Sequence, residues 1–175
     1  MRLHADFLLR NKADCKEGLM SEQKTNAMRL LDSKKAGYKV YDYTKFPTTN
    51  GGEVAAVLGQ NPDRVFKTLV TVGKSGKNYV FMLPVNAELD LKKAAAAARE
   101  KSVSMLKSRE LLPLTGYVHG GCSPIGMKKL FKTFIHSSAQ NFDSIIFSGG
   151  RIGWQIETSL DEIQKLAPFV LADIV

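Results

Sequence analysis

Cysteine is nearly absent from this 175-residue chain, with Cys15 and Cys122 the only two. Thiols so far apart outline no disulfide framework, and a reducing cytoplasm is the simplest expectation. No apolar run approaches the roughly 18 residues that a membrane-spanning helix needs. The segment FLLR at 7–10 is too short for a signal-peptide core, and no small-residue cleavage site follows it. Histidine is scarce too. His4, His119 and His136 have no i,i+4 spacing and neither cysteine belongs to a C-x-x-C pair, so no structural metal site is expected. Acids are the minority charge, 17 against 25 lysines and arginines, for a formal net charge of +8. A small basic domain is a candidate for a polyanionic partner, nucleic acid being the commonest.

What is present describes one globular domain. Apolar residues make up 44% and charged residues 24%, and the length suffices for a core without staples. The first 19 residues have no clean period and read as an extension, with the domain over 20–175. They carry four bases and three acids, so the charge without them is still +7. SEQKTNAMRLLDSKKAG reads as a helix capped by Ser21 or Thr25 and stopped by Gly37. YKVYDY alternates as a strand does, and GGEVAAVLG reads as a short helix ending at Gly59. RVFKTLVTV and NYVFMLPV flank GKSGK as a hairpin. DLKKAAAAARE is an alanine-filled helix capped by Asp90. VSMLK reads as a strand, and SRELLPL as one helical turn held open by Pro113. KTFIHSS, SIIFSGG, GWQIETS and FVLADIV read as strands, with SLDEIQKLA a capped helix before the last. Many short strands with interspersed helices predict an α+β fold, a mixed sheet curled toward a barrel.

The stretch GYVHGGCSPIGMKK at 116–129 fits neither a helix nor an ordinary strand. Gly116, Gly120, Gly121 and Gly126 give up side-chain packing, so the chain must turn sharply here or something must approach its backbone. Cys122 lies three residues after His119, which raises a thiol nucleophile. In an extended chain i and i+3 face opposite sides, and free cysteine is often simply buried, so the wall reading is preferred. GKSGK at 73–77 resembles the end of a phosphate-binding loop, but that motif needs a glycine at position 68, where Thr68 stands. Lys67 shares a strand face with Val65 and Leu69. It reads equally as a protective edge lysine and as a donor inside a concave site. IIFSGGRIGWQIE at 145–157 carries a second Gly-Gly pair after Ser148. Two such pairs could flank one pocket whose amides stabilise an oxyanion.

VFKTLV, LDLKKAA at 89–95, TGYVHGGCSPIGMKK and SGGRIGWQIE together, in order and spacing, resemble the YbaK/EbsC family. Its members are freestanding aminoacyl-tRNA deacylases related to the editing insertion domain of bacterial prolyl-tRNA synthetase. The resemblance covers about 20–175 and implies a curled mixed sheet with helices packed around it. The implied activity is hydrolysis of the ester joining a wrong amino acid to a tRNA 3′ end, typically cysteine or alanine on proline tRNA. It implies no metal and no cofactor. The family's functional lysine falls on Lys67, its glycine-rich wall on Gly120 and Gly121, and its Ser-Pro-x-Gly turn on Ser123, Pro124 and Gly126. Tyr43, Ser148 and Gly149 fall in the substrate site. Gln155 stands where some members carry aspartate, and Cys122 where a branched aliphatic is usual. Lys128, Lys129 and Lys132 are the expected contacts to the acceptor stem, and prolyl-tRNA synthetase is the implied protein partner. The alternative is a module of the same fold that binds aminoacyl-tRNA or a synthetase without hydrolysis.

Overall fold

The computed structural model describes residues 23–175. The expected extension and the Ser21 cap lie outside them. The first described helix, α1 (Asn26–Ser33), takes Thr25 as its N-cap, whose hydroxyl accepts the Met28 N–H at 3.2 Å. Strand β1 (Lys39–Asp42) and helix α2 (Gly51–Val57) follow, then a 3-10 turn over Pro62–Arg64. Strands β2 (Phe66–Gly73) and β3 (Asn78–Pro84) form the predicted hairpin, in register from Phe66↔Pro84 to Val72↔Asn78. Its turn closes with the Gly73 N–H on the Lys77 carbonyl and Gly76 at φ +83°. This is a hairpin turn and not a phosphate loop.

Helix α3 (Leu91–Ala98) is capped by Asp90, which accepts the Lys92 and Lys93 N–H groups at 2.8 and 3.0 Å. Strand β4 (Val103–Met105) leads into α4 (Ser108–Thr115). Here the structure departs from the expected single turn, since α4 runs eight residues with Pro113 inside it. The helix tolerates proline because it is short and Pro113 sits on an exposed flank beside Leu112, where water can serve the carbonyl left without a donor. The remaining elements are β5 (Lys132–His136), a 3-10 turn over Ser137–Asn141, β6 (Ile145–Ser148), β7 (Trp154–Thr158), α5 (Leu160–Leu166) and β8 (Phe169–Ala172).

The strands form a curled mixed arrangement in two parts, with helices around it, in keeping with the α+β expectation. One sheet has the order β4-β2-β3-β5-β8, parallel between β3, β5 and β8 and antiparallel elsewhere. The other, β1-β7-β6, is antiparallel throughout. A parallel bridge between Val65 and Ile146 joins the two at the start of β2. Phe66, Met82 and Ile135 of the larger sheet meet Ile145, Phe147, Trp154 and Ile156 of the smaller one, closed over by Met28, Leu31 and Ile163. The other face of the larger sheet packs Phe81, Leu83 and Phe134 on Ala94, Ala95 and Ala98 of α3. Burial on both faces explains why NYVFMLP is almost continuously apolar. Among the described residues no helix is long and apolar enough to cross a membrane.

Candidate active site

A cavity of about 410 Å³ opens where the two sheets meet, between the start of β2 and the glycine-rich loop after α4. Lys67 lines it. Lys67 pairs with Leu83 of β3, while β4 reaches only Thr71–Gly73 of β2, so Lys67 lies on a stretch without a β4 neighbour that borders the cavity. Its ammonium is half-buried and donates one hydrogen bond, to the Val85 carbonyl at 3.2 Å. An ammonium has three protons to give, so donors remain for a second acceptor. Tyr43, Gly120, Ser148 and Gln155 line the same cavity, so five of the sequence-derived site residues converge from four separate stretches of chain.

Gln155 is 5% exposed on β7, paired across the ladder with Tyr41 and Ser148. Its Oε1 accepts from Gln60 Nε2 at 2.9 Å. Two residues along the same face, Glu157 accepts from Arg64 at 2.7 Å, Ser144 at 2.6 Å and the Tyr41 hydroxyl. Burial alone would raise the Glu157 carboxyl, but these hydrogen bonds and the Arg64 charge outweigh it and hold the group below its ordinary value. The network fixes β1, β7 and the Pro62–Arg64 turn to one another beneath the cavity.

The remaining expected residues stand behind the wall and not on it. Gly121 packs against the second glycine loop, where a Cβ would lie 3.1 Å from the Ile152 amide nitrogen and 3.3 Å from Arg151 backbone atoms. Its N–H is occupied by the Val118 carbonyl at 3.0 Å. Gly149 donates to the Trp154 carbonyl at 2.8 Å and leaves little room for a Cβ beside that residue. Ser123 is fully buried and its hydroxyl accepts the Ile125 N–H at 3.3 Å, while Pro124 is buried beside it. The loop carrying Gly121 therefore packs on the Arg151–Ile152 backbone, which accounts for that glycine, whereas Gly149 is demanded by Trp154 and Met28 beside it. The amide of Gly120, by contrast, has no hydrogen bond to any described residue, and Gly120 itself adopts φ +81°.

Cys122 also lines the cavity, yet it is 8% exposed, and burial pushes its thiol up to about 12. At neutral pH that thiol is protonated, which removes the thiolate a nucleophile requires. No hydrogen bond joins Cys122 to His119, which is exposed. Residues that sequence reasoning passed over also line the cavity, among them Thr49 and Thr68. The Thr68 Oγ1 atom is buried without a partner among the described residues. Strand alternation puts Thr68 on the face opposite Lys67, so the sequence offered no signal that both border one space.

Of the lysines expected at an acceptor stem, Lys128 is engaged locally. Its Nζ donates to the Pro113 carbonyl at 3.1 Å and so closes the end of α4. Lys129 and Lys132 are exposed, lying over the Phe131 and Phe134 rings at 5.2 and 5.3 Å. No group of three or more histidine, cysteine, aspartate or glutamate residues able to hold a metal exists among the described residues.

The fold and the cleft define an α+β ligand-binding domain whose cavity offers an ammonium, hydroxyls, an amide side chain and bare backbone. Comparison with known proteins narrows the class. The aminoacyl-tRNA editing domain family matches residues 47–166. A protein of Enterococcus faecalis, EbsC, named for Cys-tRNA(Pro)/Cys-tRNA(Cys) deacylation, is 45% identical over 155 residues, covering 88% of this chain and 94% of that protein. Two solved structures share the fold at 23% identity. One, called hypothetical protein APE2540, has a TM-score of 0.78 and covers 86% of this chain and 99% of its own. The other, described as a trans-editing enzyme for prolyl tRNA synthetase, has a TM-score of 0.72 and covers 90% of this chain and 98% of its own. The chain belongs to the aminoacyl-tRNA editing domain family.

Proposed function

We propose that this chain hydrolyses the ester of mischarged aminoacyl-tRNA in trans, with Cys-tRNA(Pro) the first substrate to consider and residues 20–175 the editing unit. The observation that carries the reading is 45% identity over nearly the full length of a relative named for that activity. The cleft chemistry supports it. An aminoacyl ester is already activated, so the protein need supply only orientation, oxyanion stabilisation and exclusion of other acyl groups.

In this mechanism Lys67 holds the 3′-terminal adenosine phosphate or a substrate oxygen. Tyr43, Ser148 and Gln155 shape the acyl pocket, with Gln155 reading the amino group. The substrate assists: its free terminal ribose hydroxyl activates the attacking water, or its cysteine thiol attacks to give a cyclic thioester that water then opens to the free amino acid. Attack on the carbonyl carbon makes a tetrahedral oxyanion, which the unpaired amide of Gly120 stabilises. Collapse breaks the ester C–O bond and returns a hydroxyl to the ribose. A protonated Cys122 takes no part, in line with its burial. Phosphate contacts supply affinity for the tRNA with little sequence information, so tRNA identity would come from association with prolyl-tRNA synthetase.

The test is incubation of the purified chain with cysteinyl- and alanyl-proline tRNA, beside Lys67→Ala and Cys122→Ala. Hydrolysis of Cys-tRNA(Pro), lost in Lys67→Ala and kept in Cys122→Ala, is expected. Hydrolysis of no mischarged tRNA would leave a binding module of the same fold.

A further inference from the structure

At the far end of the β2–β3 hairpin lies a second, open groove of about 760 Å³, bounded by the hairpin turn, the end of α3 and the loop entering β5. Four cations line it, Lys77, Arg99, Lys129 and Lys132, against one carboxylate, Glu100. All four are exposed and none forms a direct ion pair among the described residues, although, beside the Ser75 and Tyr79 hydrogen bonds, the Lys77 charge helps hold the Glu100 carboxyl below its ordinary value. Glu100 is already committed. It accepts the Ser75 N–H at 3.2 Å, the Ser75 hydroxyl, and the Tyr79 hydroxyl at 2.7 Å. These bonds fasten the hairpin turn to the end of α3, and Gly73 packs on the carboxylate so closely that a Cβ would lie 2.5 Å from it. Arg99 is held in the left-handed region at φ +59°, which fixes where its side chain leaves the helix end. The other wall carries aromatic rings beneath its ammonium groups, Phe131 under Lys129 and Phe134 under Lys132.

We infer that this groove holds the phosphate backbone of the tRNA acceptor end while the ester lies in the cavity. The inference rests on the editing function proposed above. Two pieces of the fold tie the groove to the cavity. The loop that contributes Gly120 to the cavity runs on to contribute Lys129, Leu130 and Phe131 to the groove. Strand β2 joins Lys67 to the hairpin turn in six residues, about 20 Å at roughly 3.3 Å per residue. A single-stranded 3′ end spans such a distance in a few nucleotides, which brings the next phosphates to Lys77 and Arg99. Four exposed cations against one committed carboxylate along a groove match a polyanionic strand in charge. Leu130, 75% exposed at the rim, gives a base or ribose an apolar face to rest on.

The experiment measures binding of uncharged proline-tRNA transcript to the full chain over a series of salt concentrations. The variant is Lys77→Gln with Arg99→Asn, asparagine being chosen because it tolerates the left-handed region. Affinity should fall about tenfold, and the slope of log affinity against log salt should shrink by about one for each cation removed. Lys129→Gln with Lys132→Gln, which leaves the hairpin and α3 intact, should do the same. Lys165→Ala, which removes a cation paired with Glu162 on α5, should leave binding unchanged. Wild-type affinity and slope in both groove variants would overturn the inference. So would unchanged tRNA binding with lost binding to prolyl-tRNA synthetase, which would make the groove a protein contact. Uncharged tRNA keeps the two readings separable, since a chain that binds it through the groove and hydrolyses nothing refutes only the editing proposal.

Discussion

Gly121→Ala puts the contact between the two glycine loops under direct test. Gly121 has no positive φ, so alanine meets no backbone strain there. The penalty is steric alone. The new Cβ would sit 3.1 Å from the Ile152 nitrogen and 3.3 Å from the Arg151 carbonyl carbon and Cα. These are backbone atoms and cannot swing aside as a side-chain tip would, so the loops must part by a few tenths of an ångström. Overpacking of that kind costs about 1–3 kcal/mol. For a chain of this size each kcal/mol lowers the melting temperature by about 2–4 °C. Because Gly120 and Ser148 sit beside the displaced segments, kcat/KM on mischarged tRNA should fall as well. Gly37→Ala is the internal control: no atom lies within 4 Å and φ is not positive, so stability should stay level or rise slightly. The measurement is urea denaturation of both variants, with melting curves alongside. If Gly121→Ala unfolds at the same midpoint as Gly37→Ala, the loops do not pack as described and the explanation for Gly121 is wrong.

Three other perturbations give readouts of different kinds. Lys67→Ala should lower kcat/KM on Cys-tRNA(Pro) at least about a hundredfold, the scale of losing one donor to a developing charge, while the melting temperature changes little; equal activity would remove Lys67 from the mechanism. Cys122 should resist alkylation in the folded chain at about pH 7–8 and react once denaturant is added, because burial keeps its thiol protonated there; rapid native-state labelling would contradict this. The Glu157 carboxyl is held below its ordinary value when folded, so its stabilisation is complete above the unfolded value of about 4.3 and fades as pH falls through the folded one. The unfolding free energy should drop as pH falls below about 5, and less steeply in Glu157→Gln; identical slopes would show that the Arg64–Ser144–Tyr41 network does not bind the charged form preferentially.

The local elements were legible because their signals are short-range. Asp90 ahead of an alanine run, Thr25 ahead of NAMRLLDS, and two β-rich runs around GKSGK each fix a cap or a turn through neighbours in sequence. Pro113 misled in the same local terms, since its cost depends on whether its flank meets water, and only the packing of α4 decides that. Lys67 was evenly balanced between edge and cavity for a similar reason. Alternation gives the face a side chain takes but not the strands on either side.

What the sequence by itself determined is the α+β class, the order of strands and helices, and the resemblance to the editing family. Tertiary structure alone decided which of the residues that resemblance implies share one space. It brought Tyr43, Lys67, Gly120, Ser148 and Gln155 together, and it moved Gly121, Ser123, Pro124 and Gly149 behind the wall. It buried Cys122, which pushes its thiol up, and it gave the discarded GKSGK turn a lysine in a cationic groove. The physical reason is the same throughout. Propensity and capping act over a few residues, whereas a cavity, a shifted pKa and an unpaired charge depend on what the rest of the chain brings alongside.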